Sequence, residues 1–162
     1  MDAHKIRFII IAVFLVCCSI PMLSCKREHD IPDREPLRIG EENKLEFSES
    51  VASLVVDEKT LTSTGTSFTI YNTSSVVFHT GIPYWVQTLV NGKWHDIKGL
   101  MNEFPVTAME IRPGWSSVLV VDWSDNYGEL PEGEYRLVKD IDLQGERLFT
   151  KGEFTLPPPS GH

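Results

Sequence analysis

Cysteine is scarce in this sequence and confined to one end of it. The three cysteines of the 162 residues stand at positions 17, 18 and 25, and none follows. No disulfide can therefore brace the rest of the chain, and no pair of thiolates can hold a metal ion there. The part that follows Cys25 must be held together by packing and hydrogen bonds.

Basic side chains are also in short supply. The sequence has 15 Lys and Arg against 23 Asp and Glu, which gives a formal net charge of −8, and no basic stripe interrupts the acidic balance. A polyanion is repelled by such a field. The composition therefore argues against nucleic acid as a partner and suits a soluble acidic surface.

Catalytic motifs are missing as well. The sequence contains no Gly-x-Ser-x-Gly elbow and no His-Glu-x-x-His helix, the patterns that present a nucleophile or a catalytic zinc. His95 and Asp96 beside Lys93, with His79 elsewhere, come nearest to an acid–base set. Scattered surface histidines are the simpler interpretation, since no two stand at metal-ligand spacing. We expect no enzyme, no metal site and no cofactor.

An oxygen-rich stretch that begins at Asp122 resembles a calcium loop only at first sight. An EF-hand loop needs glycine at its sixth place and glutamate at its twelfth. Counted from Asp122, those places hold Tyr127 and Gly133. We interpret Asp122 and Ser124 instead as caps for the free amides of a turn.

The amino terminus has the organisation of an export signal. Lys5 and Arg7 precede the apolar run FIIIAVFLVCCSI at residues 8–20, and Pro21 to Cys25 follow. A short basic region, an apolar stretch and a small residue before the cut are what the translocon and a signal peptidase recognise. We predict a signal peptide over residues 1–24.

The end of this segment resembles a bacterial lipoprotein signal, with its lipobox at residues 22–25. The resemblance implies cleavage between Ser24 and Cys25 and acylation of the Cys25 thiol, including palmitate. The alternative is an uncleaved membrane-spanning helix, which takes about 20 apolar residues. The run here is shorter and Pro21 closes it. We expect a lipid anchor in the cell envelope, in either the cytoplasmic or the outer membrane.

Two polar segments flank the part of the chain that can fold. Residues 25–45 mix charges with prolines and show little apolar periodicity, so we predict a flexible tether after the lipidated cysteine. Residues 157–162 are predicted to form a polar tail. The domain is accordingly expected over residues 46–156.

Short alternating or branched segments predict strands throughout this domain. The clearest local signal is Asn91-Gly92, which suits a tight hairpin turn between 85–90 and 93–97. The other predicted strands are 53–56, 66–71, 76–78, 109–111, 116–121, one that starts at 135–138, and a closing strand with Leu148, Phe154 and Leu156 on one face. One helical turn is expected within 123–130.

About seven strands with regular turns describe an all-β, immunoglobulin-like antiparallel sandwich. Tyr135, just after a Pro/Gly turn, stands where a tyrosine corner forms. Ile70 and Leu137 are expected in the places of the cysteine pair of antibody domains. Either Tyr84 or Trp85 covers them, and the sequence leaves that choice open.

Several segments resemble a bacterial immunoglobulin-like domain family found in envelope lipoproteins. The resemblance spans residues 66–156 and is strongest at Gly133–Lys139, with further similarity at 84–87, 91–94, 113–114 and 127–128. It implies the sandwich fold. It brings no catalytic residues.

Aromatic residues are the best candidates for a binding surface. Trp94, Trp115, Trp123 and Tyr127 are candidate binding residues, because exposed rings on one face stack on sugars or on an apolar partner. The alternative for each is core packing. The expected function is a lipid-anchored binding or spacer module for an envelope protein or glycan. Glycan binding through the aromatics is the first alternative, and an undetected enzyme is the second.

Overall fold

A computed structural model describes residues 36–100 and 108–158. The predicted signal peptide, Ser24, Cys25, the first part of the tether and residues 159–162 lie outside the described residues. Within the described ranges, the helical structure is too short and too polar to cross a membrane.

The described residues form two antiparallel sheets and one helical turn. The strands are β1 (Ile39–Glu42), β2 (Ala52–Val56), β3 (Gly65–Asn72), β4 (Phe78–Thr80), β5 (Trp85–Val90), β6 (Lys93–Ile97), β7 (Met109–Ile111), β8 (Ser116–Asp122), β9 (Gly133–Leu143) and β10 (Glu146–Leu156). The helical turn α1 spans Ser124–Tyr127. The predicted all-β, immunoglobulin-like sandwich is confirmed.

The larger sheet is organised around β9. This strand pairs with β10 along its whole length, from Gly133 opposite Leu156 to Leu143 opposite Glu146. Its other edge is shared, because β5 pairs with residues 135–138 and β4 pairs at Asp142. Strands β6 and β1 continue the sheet beyond β5, and β7 continues it beyond β4. The smaller sheet has the order β2-β3-β8.

The core lies between the two sheets, where alternate side chains of each strand meet. One apolar cluster contains Phe68 from the small sheet and Leu137 from β9, and a second contains Ile70 and Ile141. The sheets approach closely at Gly152 of β10, where an added Cβ would collide with the side chain of Leu54.

The predicted turn residues adopt the conformations that their chemistry favours. Asn91 and Gly92 have φ angles of 51° and 76°, as a two-residue hairpin turn requires, and Val90 pairs with Lys93 across it. Gln144 and Gly145, which connect β9 to β10, also have positive φ angles, 58° and 91°. The hairpin prediction is confirmed.

The tyrosine corner is present. The hydroxyl of Tyr135 donates to the carbonyl oxygen of Pro131 at 2.9 Å, and its ring packs in the core. Tyr84 is the residue that faces inward, because its ring is buried in the same cluster. Trp85 lies on the opposite face of the large sheet, beside Phe149. Ile70 and Leu137 are both fully buried but belong to different clusters.

Two segments differ most from the sequence prediction. Residues 39–42, placed in the tether, form β1, which is the edge strand next to β6. The side chain of Asn43 secures this segment by donating to both carboxylate oxygens of Asp96 at 2.8 and 3.0 Å. The strand expected at 76–78 begins instead at Phe78 and runs to Thr80. Both differences arise because long-range pairing decides where a strand forms.

We predict that Tyr135→Phe lowers the free energy of unfolding by about 1 kcal/mol, because the Pro131 carbonyl loses its donor at a partly buried site. Urea denaturation measures the change. Tyr71→Phe is the control, since Tyr71 is 41% exposed, and it should change stability by less than about 0.5 kcal/mol. Equal effects of the two substitutions would contradict the corner's role.

Candidate functional site

The outer face of the large sheet, opposite the core, carries alternating aromatic and charged side chains. Arg136 projects there from β9, between the inward-facing Tyr135 and Leu137. Gln87 and Asp96 lie on the same face, since Gln87 pairs with both Arg136 and Asp96 in the strand register. These residues form a polar layer outside the apolar core.

Arg136 is the centre of this layer. Its guanidinium lies 4.5 Å from the ring centroid of Trp94 and 4.7 Å from that of Phe47, and the residue is only 5% exposed. Its Nε donates to Gln87 Oε1, and Gln87 Nε2 donates in turn to Asp96 Oδ1 at 2.7 Å. Burial lowers the pKa of Arg136. The cation therefore orients the Trp94 ring and holds the segment before β2 against the sheet.

Two further cations cover aromatic rings on the same face. Arg147 lies 5.5 Å from the ring centroid of Trp85 and 5.3 Å from that of Phe149. Lys151 lies 5.5 Å from the ring centroid of Phe47. Each of these rings therefore packs against a protein cation and forms part of the folded surface.

A groove enclosing about 680 Å³ opens beside Trp94. It is lined by the start of β6 and β9, the end of β10 and the loop between β2 and β3. Leu61 and Leu156 supply apolar surface. Three carboxylates, those of Glu58, Glu134 and Glu153, line it too, and none of the described residues that line it is basic. The groove is therefore both aromatic and acidic.

This combination suits two kinds of ligand. An indole ring stacks on the face of a sugar while carboxylates accept hydrogen bonds from its hydroxyl groups. The same ring and carboxylates attract an ammonium or guanidinium group. Glu153 is already paired with Lys151 at 2.7 Å, so Glu58 and Glu134 are the carboxylates that we assign to a ligand.

The structure separates the four predicted binding residues. Trp94 lines the groove. Trp115 is 63% exposed at the turn between β7 and β8, with the Arg112 guanidinium 5.5 Å from its ring centroid. Tyr127 lines a second, smaller cavity of about 240 Å³. No single platform contains all of them.

Trp123 was wrongly predicted as a binding residue. It is completely buried, stacks on Phe154 with 5.5 Å between ring centroids, and donates from Nε1 to the carbonyl oxygen of Ser63 at 2.8 Å. Its polar atom is satisfied inside the protein, so the whole ring contributes to the core.

Sequence patterns alone did not predict that the outer face contains Arg136, Phe47 and Phe149. A signal was present for Arg136, because it alternates with two core residues, Tyr135 and Leu137, and so had to face the other side of the sheet. Its aromatic neighbours come from segments 42 or more residues away in sequence, and only strand register reveals them.

Asp122 accepts a hydrogen bond from a free amide of the turn, as interpreted from the sequence, whereas the Ser124 hydroxyl caps no amide among the described residues and donates to Asp122 instead. Its Oδ1 accepts hydrogen bonds from the backbone N–H and the hydroxyl of Ser124 at 2.9 and 2.6 Å, which lower the pKa of Asp122. No set of three potential ligands for a metal ion occurs within residues 36–100 and 108–158. His95 lies near the carbonyl oxygen of Gly40, whereas Asp96 binds Gln87 and Asn43. These two neighbours therefore do not act on a common group.

A lysine is buried between the two apolar clusters. Lys139 is completely buried, and its Nζ donates to the carbonyl oxygens of Gly81 and Pro83 at 2.5 and 2.6 Å. Gly81 and Pro83 belong to the link between β4 and β5. Along this edge of β9, the pairing partner changes from β5 to β4. Burial lowers the pKa of Lys139 to about 8. The Lys139 side chain thus binds the link between β4 and β5 to β9, although burial of its charge costs free energy.

The fold, the tyrosine corner and the two-sheet core define an immunoglobulin-like sandwich. A family model described as bacterial Ig-like domain matches residues 48–155, which is more than half of the chain. The chain therefore belongs to the bacterial Ig-like domain family. No curated protein matches it.

We predict that stability rises between pH 8 and 10 because of Lys139. The pKa of the Lys139 amine is lower in the folded state than in the unfolded chain. The cost of burying its positive charge is therefore fully present below pH 8 and decreases as the pH rises towards 10. The gain is on the order of 2–3 kcal/mol. It should reverse above pH 10, since burial raises the pKa of Tyr84 and Tyr127 and raises that of Tyr135 to about 12.

Urea unfolding at intervals of pH measures this profile. Lys139→Met should abolish the rise, whereas Lys98→Met, at an exposed lysine, should keep it. A profile that is flat from pH 8 to 10 in the unaltered protein would show that the amine is solvated.

Proposed function

We propose that this chain is a non-enzymatic, lipid-anchored immunoglobulin-like module that binds or spaces a partner at the bacterial envelope. The observation that carries the proposal is the sequence at residues 22–25, which resembles a lipobox, on the amino-terminal side of a bacterial Ig-like domain at residues 48–155. Neither segment alone indicates where the protein is located. Together they support the proposal of a folded domain attached to a membrane surface.

The physical chemistry of acylation supports permanent anchoring. Each buried methylene contributes about 0.8 kcal/mol, so one chain binds reversibly while two or three hold a protein at a bilayer. Removal of the proposed signal peptide takes away two basic residues, Lys5 and Arg7, and one acidic residue, Asp2. Its net charge therefore falls to −9, one unit below the −8 of the full sequence. Such a chain gains nothing from anionic headgroups and depends on the lipid itself.

The sandwich supports a binding or spacing role. Two packed sheets provide a rigid frame, and recognition on such frames comes from loops, grooves and sheet edges. The groove beside Trp94 is the binding site that we assign, with an envelope protein or a glycan as its partner.

We predict that Cys25→Ser abolishes lipidation, because the thiol that would carry the lipid is gone. Expressed in bacterial cells, the unaltered protein should incorporate radioactive palmitate and sediment with membranes. The variant should remain unlabelled and migrate as the uncleaved precursor. Cys18→Ser, in the same segment, is the matched control and should behave as the unaltered protein. If Cys25→Ser keeps the palmitate labelling and the gel mobility of the unaltered protein, Cys25 does not carry the lipid and the proposal is contradicted. A signal anchor would leave both proteins unlabelled.

Glycan binding is the second candidate function, and the composition of the groove favours it. The Trp94 ring is held in place by Arg136, with 4.5 Å between guanidinium and ring centroid, and the Glu134 carboxylate lines the same space. A ring that is already oriented loses little conformational entropy on stacking against a sugar.

We predict that envelope-derived oligosaccharides change the tryptophan fluorescence of the full-length protein, and that Trp94→Ala weakens binding at least about tenfold. Glu134→Gln should weaken binding without disturbing the packing of Arg136. Trp115→Ala removes an exposed indole that does not line the groove, and should leave affinity unchanged. Unchanged emission with every sugar on an array would exclude this function and leave the protein-partner alternative.

A further inference from the structure

The groove beside Trp94 carries negative charge that the protein itself leaves unbalanced. Three carboxylates line it, and one of them, Glu153, is paired with Lys151 at 2.7 Å. Neither Glu58 nor Glu134 takes part in an ion pair within the part of the chain that the structure describes. The groove therefore presents two negative charges to a ligand that enters it.

The basic residues closest to the groove are engaged elsewhere. Lys93 forms an ion pair with Glu42 at 2.8 Å. Arg136 is only 5% exposed and does not line the groove. Burial lowers the pKa of Arg136, whereas the charges of Glu153 and Asp96 act in the opposite direction and so balance the guanidinium. These two cations therefore leave the remaining carboxylates of the groove uncompensated.

The backbone that carries the two uncompensated carboxylates is fixed by hydrogen bonds. Glu134 lies on β9, which is paired with β10 at that point. Glu58 lies in a turn, where the N–H of Lys59 donates to Asp57 Oδ1 and the N–H of Thr60 donates to the carbonyl oxygen of Asp57, both at 3.0 Å. Binding between these segments consequently requires little ordering of the backbone.

The arrangement of the carboxylates favours an organic cation over a metal ion. Within the described residues, no three side chains of the metal-binding types lie close enough to hold a metal ion, so the three carboxylates of the groove do not converge on one. Leu61 and Leu156 line the same space as Glu58 and Glu134. A cationic group on an apolar stem matches such a lining, and arginine and lysine side chains have this form.

We propose that the groove binds a basic side chain, arginine above all, presented by a segment of an envelope protein. The carboxylates of Glu58 and Glu134 bind the cationic group, and the apolar wall beside Trp94 contacts the stem and its neighbours. The proposal rests on the proposed function of the chain as a binding module and names the chemistry of the partner.

Charge complementarity selects this occupant. The chain carries a net charge of −8, which attracts a basic segment from a distance and repels an acidic one. A guanidinium also offers several N–H donors in one plane, which pair with carboxylates more specifically than an ammonium does. The same charge distribution gives no preference to a neutral sugar.

The size of the groove sets the strength of the contact. Its volume of about 680 Å³ lies within the range of about 300–1,000 Å³ that is typical of ligand sites. One long side chain and its neighbours fit such a space, but a standard protein interface is larger. The binding should therefore be weak, and it should weaken further with salt, because both carboxylates belong to exposed residues.

Two blocked peptides test the proposal against the purified full-length chain in titration calorimetry. One peptide contains an arginine flanked by leucines, and the other has citrulline, the uncharged analogue of arginine, in its place. The arginine peptide should bind about tenfold more tightly at an ionic strength of about 0.01 M, and this preference should shrink towards one at about 1 M.

Variants assign the preference to the two carboxylates. Glu58→Gln and Glu134→Gln should each reduce it about threefold, and the double variant should abolish it, while the affinity for the citrulline peptide stays the same. Glu146→Gln is the matched control. It makes the same change in net charge at an exposed carboxylate where β10 begins, whereas the end of β10 lines the groove, and it should leave the preference intact.

Four results would overturn the proposal: equal binding of the two peptides, equal effects of Glu146→Gln and Glu134→Gln, binding of ethylguanidinium as tight as that of the arginine peptide, or peptide binding that appears only after residues 159–162 are removed. Sugar binding without peptide binding would also overturn it and would leave the glycan alternative. Lipid anchoring is tested separately by Cys25→Ser, so its failure would not alter the peptide result.

Discussion

Strand β9 is the constraint on which the rest of the structure depends. It pairs along its full length with β10 and divides its other edge between β5 and β4, so it links most strands of the large sheet. Its side chains alternate between two environments. Tyr135 and Leu137 enter the core, while Arg136 enters the polar layer on the outer face. The core and the candidate binding surface are thus two sides of one strand, and a change of register by one residue would exchange them.

The features that the sequence predicted are those that local chemistry decides. Asn91 and Gly92 favour positive φ wherever they occur, and the spacing of Pro131 and Tyr135 is enough to form the corner. Features that depend on distant segments were not predicted. Strand β1 forms because β6 offers an edge and Asp96 accepts from Asn43, and no periodicity within residues 39–42 shows this.

The binding surface was only partly predictable for the same reason. Trp94 was recognised as a candidate from its place beside a hairpin turn, but its orientation depends on Arg136 and Phe47, which are remote in sequence. Trp123 follows a strand and precedes a polar turn, a position that resembles an exposed one. The ring is buried because Ser63 and Phe154 close over it.

The central claim, that β9 holds the core and the outer face together, is tested most directly by hydrogen exchange followed by NMR. The account predicts that the amide protons of residues 135–138 and the Nε proton of Arg136 exchange only through global unfolding, since both lie within one cooperative unit. The Nε proton of the exposed Arg38 provides the reference for free exchange. Protected amides with an Arg136 Nε proton that exchanges as fast as that of Arg38 would contradict this interpretation.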